Sequence, residues 1–187
     1  MKISKILLSV ILMSLGVTAM QAQTSFGKAT LFNDGWLFSL SDAPEMSAVE
    51  YVDSGWRALT LPHDWSIEHL AAPTLNSCTG YFPGGIGWYR KHFAIPENAA
   101  PKQFLYFEGV YNRSKVYVNG HLVGERPNGY VSFAYDITPY LDPVGEDNVI
   151  AVRVDHSREA DSRWYTGSGI YRDVYLSLIH ISEPTRH

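Results

Sequence analysis

Short apolar stretches recur along the chain and are separated by Gly, Pro, Asn and Asp residues. Within most of them apolar and polar residues alternate, which is the period of a β-strand that buries one face. No long apolar stripe has the 3.6-residue period of an amphipathic helix. The pattern therefore predicts a series of strands, at residues 36–40, 57–61, 88–95, 103–108, 114–118, 121–124, 132–137, 148–154 and 171–175.

Three of these strands carry specific expectations about burial. Residues 103–108 form a nearly continuous apolar run, which predicts a strand buried on both faces. In strand 148–154 the face made by Ile150, Val152 and Val154 is the better core candidate. In strand 88–95 one face carries Tyr89, Phe93 and Ile95 and the other carries Trp88, Arg90 and His92.

Two turns are marked by their residue types. Asn119-Gly120 stands between two alternating stretches and is the strongest short-range hairpin signal in the chain. Within residues 136–141, Pro139 fits the first position of a short helical turn. Many short strands joined by such turns predict an all-β protein, an antiparallel β-sandwich of the jelly-roll type.

The N-terminus differs from the rest of the chain. Lys2 and Lys5 precede an apolar stretch at residues 6–17, and small residues follow within 19–22. This order is typical of a cleaved export signal, so residues 1–22 are predicted to be a signal peptide. A hydrophobic helix packed on the core is the alternative. We expect the mature protein to begin near Gln23 and to be exported, either periplasmic or secreted.

The C-terminus resembles something other than a protein sequence. Residues 176–186 read Leu-Ser-Leu-Ile-His-Ile-Ser-Glu-Pro-Thr-Arg, like the translation of a transposase adapter used to prepare sequencing libraries. A natural last strand is the alternative, because residues 176–181 have strand-like composition. The resemblance assigns residues 23–175 to the domain and 176–187 to the adapter, and it implies that the natural protein continues beyond Tyr175.

Composition excludes several classes of protein. A net charge of −4, with 18% charged and 13% aromatic residues, fits neither a disordered chain nor a basic nucleic-acid-binding protein. The single cysteine, Cys78, excludes an internal disulfide framework and a multi-cysteine zinc site. His63 and His69 have no third ligand in register, so we expect no metal site.

The sequence contains no complete active site. It has no glycine-rich phosphate loop, no His-Glu-x-x-His helix and no Gly-x-Ser-x-Gly elbow. Two segments, loop A (residues 74–87) and loop B (residues 155–169), instead combine glycines and aromatic residues with polar or charged ones. Aromatic faces and planar polar groups bind sugars, so both loops are candidates for carbohydrate contact. Packing of Trp164 and Tyr165 in a domain interface is the alternative.

Five motifs follow one another through the middle of the chain. They are Asn-Asp-Gly-Trp at 33–36, Leu-Pro-His-Asp-Trp at 61–65, Gly-Trp-Tyr-Arg-Lys at 87–91, Val-Tyr-Val-Asn-Gly at 116–120 and Gly-Ser-Gly-Ile-Tyr-Arg-Asp-Val at 167–174. In this order they resemble the N-terminal domain of glycoside hydrolase family 2, a galactose-binding-domain-like jelly roll. Residues 164–172 look most like the β-galactosidase branch, and β-glucuronidases and β-mannosidases share the fold.

The resemblance implies an enzyme in which this jelly roll and an immunoglobulin-like domain precede a TIM barrel. The barrel would supply the acid/base and nucleophile glutamates for retaining hydrolysis of O-glycosidic bonds, without a cofactor. No catalytic residue carries over to this chain, because the barrel lies outside it. We therefore expect an inactive N-terminal part of a truncated hydrolase. In the family this first domain lends a loop to the rim of the active site.

By position, the resemblance suggests Asp161, Arg163 and Trp164 as substrate-binding residues, with Asn76 second. The expected partner is a carbohydrate substrate, reached through the catalytic domain. We expect no nucleic acid as a partner, and no membrane after the signal has been cleaved. The parent enzyme could be a homo-oligomer. Four other polar residues are predicted to tie loops and strand ends together: His63, Asp64, Arg90 and Arg172.

Two other functions remain compatible with the sequence. One is a free-standing carbohydrate-binding module without hydrolase activity. The other is a β-sandwich used only for contacts with proteins. Sugar binding by the isolated domain would favour the first of these, and its absence would favour the second.

Overall fold

The computed structural model describes residues 28–75, 79–158 and 164–179, and within them the chain forms ten strands. The strands are β1 (Lys28–Leu31), β2 (Trp36–Ser39), β3 (Arg57–Leu59), β4 (Gly85–Ala94), β5 (Lys102–Phe107), β6 (Ser114–Val118), β7 (His121–Arg126), β8 (Phe133–Asp136), β9 (Asp147–His156) and β10 (Val174–Ile179). The helical elements among these residues are 3-10 turns, at Pro44–Ser47, Ser66–Glu68 and Thr138–Tyr140. The prediction of an all-β protein is confirmed.

The strands form two antiparallel sheets that make a sandwich. One sheet has the order β1-β10-β5-β8 and the other the order β3-β2-β4-β9-β6-β7. Side chains from both sheets meet in one core, where the predicted face of Ile150, Val152 and Val154 is fully buried. The antiparallel jelly-roll sandwich expected from the strand pattern is therefore the observed fold.

The outer face of the six-stranded sheet is covered by residues 41–56, which we call the covering segment. Met46, in the 3-10 turn Pro44–Ser47, packs in a second buried cluster with Trp88 of β4 and Ala151 of β9. Trp88 also stacks on Tyr117 at 5.8 Å between ring centroids. Both faces of β4 are buried here, because Tyr89 points into the main core.

The Asn119-Gly120 hairpin is confirmed. The two residues have φ angles of 47° and 78°, and a type I′ turn requires positive φ at both positions. The Asn119 side chain accepts a hydrogen bond from Val149 N–H and donates one to Asn148 Oδ1, each at 2.8 Å. The turn is thereby tied to the beginning of β9. Pro139 lies in the 3-10 turn Thr138–Tyr140, as predicted.

The prediction that residues 103–108 are buried on both faces is wrong. In β5, Gln103, Leu105 and Phe107 are buried, whereas the alternate residues are half-buried. Among the described residues, no segment like the covering segment forms a second buried cluster on the outward face. Tyr106 lies there beside Tyr175 of β10, with 6.1 Å between their ring centroids. Aromatic residues on the outer face produced the continuous apolar run.

The boundaries of the last strand also differ from the prediction of residues 171–175. β10 begins at Val174 and extends to Ile179, because it pairs with β1 on one side and β5 on the other. Strand β1 was not predicted at all. The strand conformation of residues 176–179 does not test the resemblance to an adapter, so that assignment stays a prediction.

Candidate functional site

Loops A and B meet at one end of the six-stranded sheet. β4 starts within loop A, at Gly85, and β9 extends into loop B, to His156; these two residues are opposite each other in the antiparallel pair. Between the loops lies a cavity of about 340 Å³ lined by Thr74, Leu75, Thr79, Phe82, Gly84, Gly85, His156, Ser157 and Arg158. Hydroxyl, imidazole and guanidinium groups beside apolar side chains are the mixture that recognises a hydroxylated ligand.

A chain of hydrogen bonds beside this cavity joins four parts of the backbone. Ser66 Oγ donates to the Pro83 carbonyl at 2.7 Å and lies 2.6 Å from Ser168 Oγ. Ser168 Oγ in turn lies 2.6 Å from Nδ1 of His156. Because Ser66 uses its proton on a carbonyl that only accepts, Ser168 must donate to Ser66. Nδ1 of His156 must then carry the proton that is donated to Ser168.

The direction of this chain decides what Ser168 can do. A serine nucleophile needs a neighbouring base that accepts its proton, whereas Nδ1 of His156 donates to Ser168. The Ser168 side chain is also fully buried. The pair therefore acts as a structural contact that fixes loop B to loop A, and we call Ser66, Pro83, His156 and Ser168 the hydroxyl chain.

His156 is a residue of the site to which sequence reasoning gave no role. Its exposed fraction is 1%. The signal was present in the alternation of β9, because residue 156 continues the inward face of Ile150, Val152 and Val154. A polar residue at an inward position is expected to have hydrogen-bond partners, and the hydroxyl chain supplies them.

Asp64 holds the C-terminal part of loop B against the sandwich. Its Oδ1 accepts hydrogen bonds from the backbone N–H groups of Ser66, at 3.0 Å, and Ser168, at 2.8 Å. Its Oδ2 accepts one from the Tyr165 hydroxyl at 2.5 Å. Burial, together with the hydrogen bond and charge of Asp64, raises the pKa of Tyr165, so its hydroxyl stays a donor. A Cβ on Gly167 would come within 2.6 Å of Asp64 Oδ2, so the segment requires glycine there.

An exposed aromatic cluster lies on the other side of loop B. Trp164 is 64% exposed, and its indole N–H donates to the Tyr130 hydroxyl at 3.3 Å. Together with Tyr111, Tyr165 and Tyr171 these residues border a hollow of about 140 Å³. Exposed aromatic faces of this kind can stack on the C–H face of a sugar or pack in a protein interface.

The structure locates one of the four predicted substrate-binding residues. Trp164 lies in the aromatic cluster and does not line the 340 Å³ cavity. Asn76, Asp161 and Arg163 lie outside the described residues, as does Cys78. The geometry of the candidate site therefore comes from residues on either side of these positions.

The polar residues that were predicted to be structural have many contacts. His63 lies 2.7 Å from the Tyr89 hydroxyl and 3.1 Å from the Glu68 carboxylate, and burial lowers the pKa of His63. Arg90 is fully buried and bonds to the covering segment. The guanidinium of Arg172 lies 5.6 Å from the ring centre of Tyr171. The contacts of His63, Arg90 and Asp64 tie strands to loops as predicted, whereas this contact of Arg172 is with its neighbour in the chain.

Two other kinds of feature, a metal site and a membrane-spanning helix, are absent from the described part of the chain. In residues 28–75, 79–158 and 164–179, no group of three or more His, Cys, Asp or Glu side chains is placed to hold a metal ion. Within the same ranges, none of the helices has the length and apolar character of a membrane span. What these residues do offer is hydrogen bonding and aromatic contact at the end of the sandwich where loops A and B meet.

Related proteins of known structure have the same fold. The chain aligns with a beta-glycosidase from Bacteroides vulgatus at a TM-score of 0.76 and 51% identity, covering 80% of this chain and 20% of that one. It aligns with a beta-glucuronidase from Bacteroides uniformis at a TM-score of 0.71 and 30% identity, covering 82% and 18%. The sandwich described above is thus shared with much longer glycosidases.

Sequence comparison leads to the same group. The chain is 46% identical over 166 residues to Beta-galactosidase BoGH2A of Bacteroides ovatus, which covers 87% of this chain and 19% of that protein. It is 34% identical to a beta-glucuronidase of Formosa agariphila, over 82% of this chain and 17% of that protein. It therefore spans about a fifth of the length of such relatives. Residues 30–180 match the family described as Glycosyl hydrolases family 2, sugar binding domain, and the chain belongs to that family as its N-terminal domain.

Proposed function

We propose that this chain is the non-catalytic N-terminal part of a truncated, exported family 2 hydrolase, and that loops A and B shape the rim of its active site. The parent enzyme would be β-galactosidase-like and would hydrolyse O-glycosidic bonds. The observation that carries the proposal is the convergence of both loops on one cavity at one end of the sandwich. The comparison with relatives five times as long supports a catalytic part outside the chain.

At this rim, some of the described residues would fix the loops and others would contact the sugar. The hydroxyl chain and Asp64 fix the backbone of both loops, so the cavity keeps its shape without a bound partner. Ser157 and Arg158 offer polar groups to hydroxyls of a sugar, and Phe82 offers an apolar surface to its C–H groups. Proton transfer and nucleophilic attack would belong to two carboxylates of the catalytic part.

Trp164 is the residue through which the rim would contact the substrate beyond the cavity. An indole face that is mostly exposed and held by Tyr130 is preorganised for stacking on a pyranose or on the leaving group. The names of the relatives include both beta-galactosidase and beta-glucuronidase, so the proposal commits to a β-linked hexose, with galactose first.

Export is part of the same proposal. Residues 1–22 have the order of an export signal, and the carbohydrate substrate would be met in the periplasm or outside the cell. A fusion of residues 1–27 to a reporter that is active only after export tests this part. A reporter that stays inside the cell would contradict it.

The decisive experiment restores the reading frame. We expect the 187-residue chain to leave nitrophenyl β-galactoside and nitrophenyl β-glucuronide intact. We also expect the natural gene, extended past codon 175, to encode an active enzyme in which Trp164→Ala lowers kcat/KM about tenfold. Val144→Ala, at an exposed site shortly before the start of β9 and so at the end of that strand away from loop B, is the control. Hydrolysis by the chain alone, or an unaffected Trp164→Ala enzyme, would contradict the proposal.

A free-standing carbohydrate-binding module is the second candidate, and the exposed cluster around Trp164 and Tyr130 favours it. In that case the natural frame would stop soon after the domain. The gene sequence beyond codon 175 separates the two candidates, because only the hydrolase requires a long continuation with a catalytic domain.

A further inference from the structure

A second groove lies at the edge of the six-stranded sheet and contains no residue of loop A or B. It has a volume of about 520 Å³ and is formed by the end of β2, the residues before β3 and the 3-10 turn Ser66–Glu68. Its lining includes three aromatic residues, Phe38, Trp56 and Trp65, and the charged residues Arg57 and Glu68. We call it the β3 groove.

The aromatic part of the β3 groove is held in place by the core. Phe38 and Trp65 are buried and stack with 5.7 Å between centroids and 25° between planes. Trp56 is half-buried and contacts the ring of Tyr51 edge-on at 5.7 Å. These rings cannot collapse into the groove without disturbing the packing beneath them. Phe38 and Trp65 are 5% and 0% exposed and form the floor, so the half-buried Trp56 is the ring that the groove presents to a ligand.

The polar part of the groove is a bidentate ion pair. Nη1 and Nη2 of Arg57 donate to the two carboxylate oxygens of Glu68 at 2.8 and 2.7 Å. Both side chains remain partly exposed. The pair neutralises itself, yet Arg57 keeps further N–H donors and the carboxylate keeps acceptor capacity. The Arg57 guanidinium also lies over the ring of Phe38, 5.4 Å from its centre, which adds a cation–π contact.

We propose that the β3 groove is a binding site for a neutral pyranose sugar, in addition to the rim role proposed above. A pyranose has an apolar C–H face and a ring of hydroxyl groups, and the groove sets the half-buried ring of Trp56 beside paired donors and acceptors. A free guanidinium would favour an anionic ligand, whereas the Arg57–Glu68 pair has no net charge. A purely apolar ligand would displace water from the Arg57–Glu68 pair without offering it a hydrogen bond, so it is disfavoured.

Gly55 provides a way to close the groove without disturbing the fold. A Cβ at this position would meet nothing within 4 Å, and its φ is not in the left-handed range. Gly55→Phe therefore places a ring at the groove while the ion pair and core stay intact. Val144→Phe is the matched control, because it adds the same ring at an exposed position that does not line the β3 groove.

The test titrates the 187-residue chain with methyl β-galactopyranoside, methyl β-glucopyranoside and methyl β-glucuronide and follows the tryptophan indole N–H resonances. We expect saturable binding of the neutral glycosides with a Kd on the order of 1 mM, and weaker binding of the glucuronide. Gly55→Phe should weaken binding about tenfold or more, and Val144→Phe should leave it unchanged. Thermal unfolding of both variants confirms that they are folded.

Two results would overturn the inference. One is the lack of saturable shifts with either neutral glycoside in the folded chain. The other is binding that survives Gly55→Phe and disappears in Trp164→Ala, which would assign the sugar to loop B. Neither result touches the assay of the extended enzyme, so failure of the β3 groove and failure of the proposed rim are distinguishable.

Discussion

Loop B and the covering segment are both irregular stretches of chain held against the six-stranded sheet, but by different forces. Loop B is fixed through hydroxyl groups, backbone N–H groups and glycines that leave no room for a side chain. The covering segment is fixed through charged groups, chiefly Asp42 with Arg153 and Asp53 with Arg90 and His92. The same sheet thus carries one directional attachment and one electrostatic attachment.

The difference follows from what each segment does. A hydrogen-bonded chain of small groups defines positions to within tenths of an ångström, which suits loops that border a cavity. Ion pairs tolerate small movements and respond to pH, which suffices for a segment that only covers Trp88, Ala151 and their neighbours. The two attachments should therefore fail in different ways.

Gly169→Ala should produce the largest effect, because it breaks the attachment of loop B sterically. Gly169 has a φ of +125°, and an added Cβ would clash with the Tyr89 hydroxyl and lie 2.7 Å from the His63 carbonyl oxygen. Strain and overpacking together should lower the free energy of unfolding by about 4 kcal/mol. Urea unfolding of the two proteins measures this difference.

Gly145→Ala is the control for the backbone contribution. Gly145 also has a positive φ, +85°, but an added Cβ would meet nothing within 4 Å. Its cost should be only about 1 kcal/mol. Equal losses at Gly169 and Gly145 would show that close packing does not hold loop B.

Arg90→Met should have the next largest effect, on the covering segment. Arg90 is fully buried, donates to Asp53 at 2.7 Å, and donates to the carbonyls of Met46 and Ala48 at 2.7 and 2.9 Å. Its removal leaves these acceptors without their donor, and we expect a loss of about 3 kcal/mol in urea unfolding.

Arg153→Met makes the same change at the other ion pair of the covering segment. Arg153 and Asp42 are partly exposed, so this variant should lose about 1 kcal/mol or less. A smaller loss in Arg90→Met than in Arg153→Met would contradict the view that the buried arginine is the main attachment.

Much of this architecture could be predicted from local pattern. Alternation in β9 gave the correct core face, and Asn119-Gly120 gave the correct hairpin, because both signals depend on neighbours along the chain. The run at residues 103–108 misled, since apolar composition does not tell whether a second layer covers a strand. Strand β1 was missed for a related reason, because four residues at an edge give little pattern.

The site was harder to predict than the fold. Loops A and B were recognised by composition. The hydroxyl chain, however, joins Ser66 to Ser168, which is 102 positions away in the sequence, and through it to His156, which is 90 positions away. Such contacts depend on the pairing of β4 with β9, which no local signal gives. The sequence alone indicates only that His156 alternates in step with Ile150, Val152 and Val154 and therefore faces inward.

Substitution of His92 should change the free energy of unfolding least, but it separates the two attachments by their response to pH. Its Nδ1 lies 2.7 Å from Asp147 and its Nε2 lies 3.0 Å from Asp53, which also pairs with Arg90. Burial alone would lower the pKa of His92, but hydrogen bonds and charges from Asp147 and Asp53 outweigh it and raise the pKa. The stabilisation is therefore complete below the ordinary histidine pKa and is lost as the pH rises through the raised value.

His92→Gln should remove this pH dependence, which lies above the ordinary histidine pKa, from the free energy of unfolding. His69→Gln, which changes an exposed histidine outside this network, is the control and should leave the pH dependence in place. The free energy of unfolding of Arg90→Met, measured over the same pH range, tests whether Asp53 still binds His92 when Asp53 has lost Arg90. Identical pH profiles for the parent chain and His92→Gln would mean that protonated His92 does not help to attach the covering segment, and the contrast with loop B would then rest on Arg90 and Arg153.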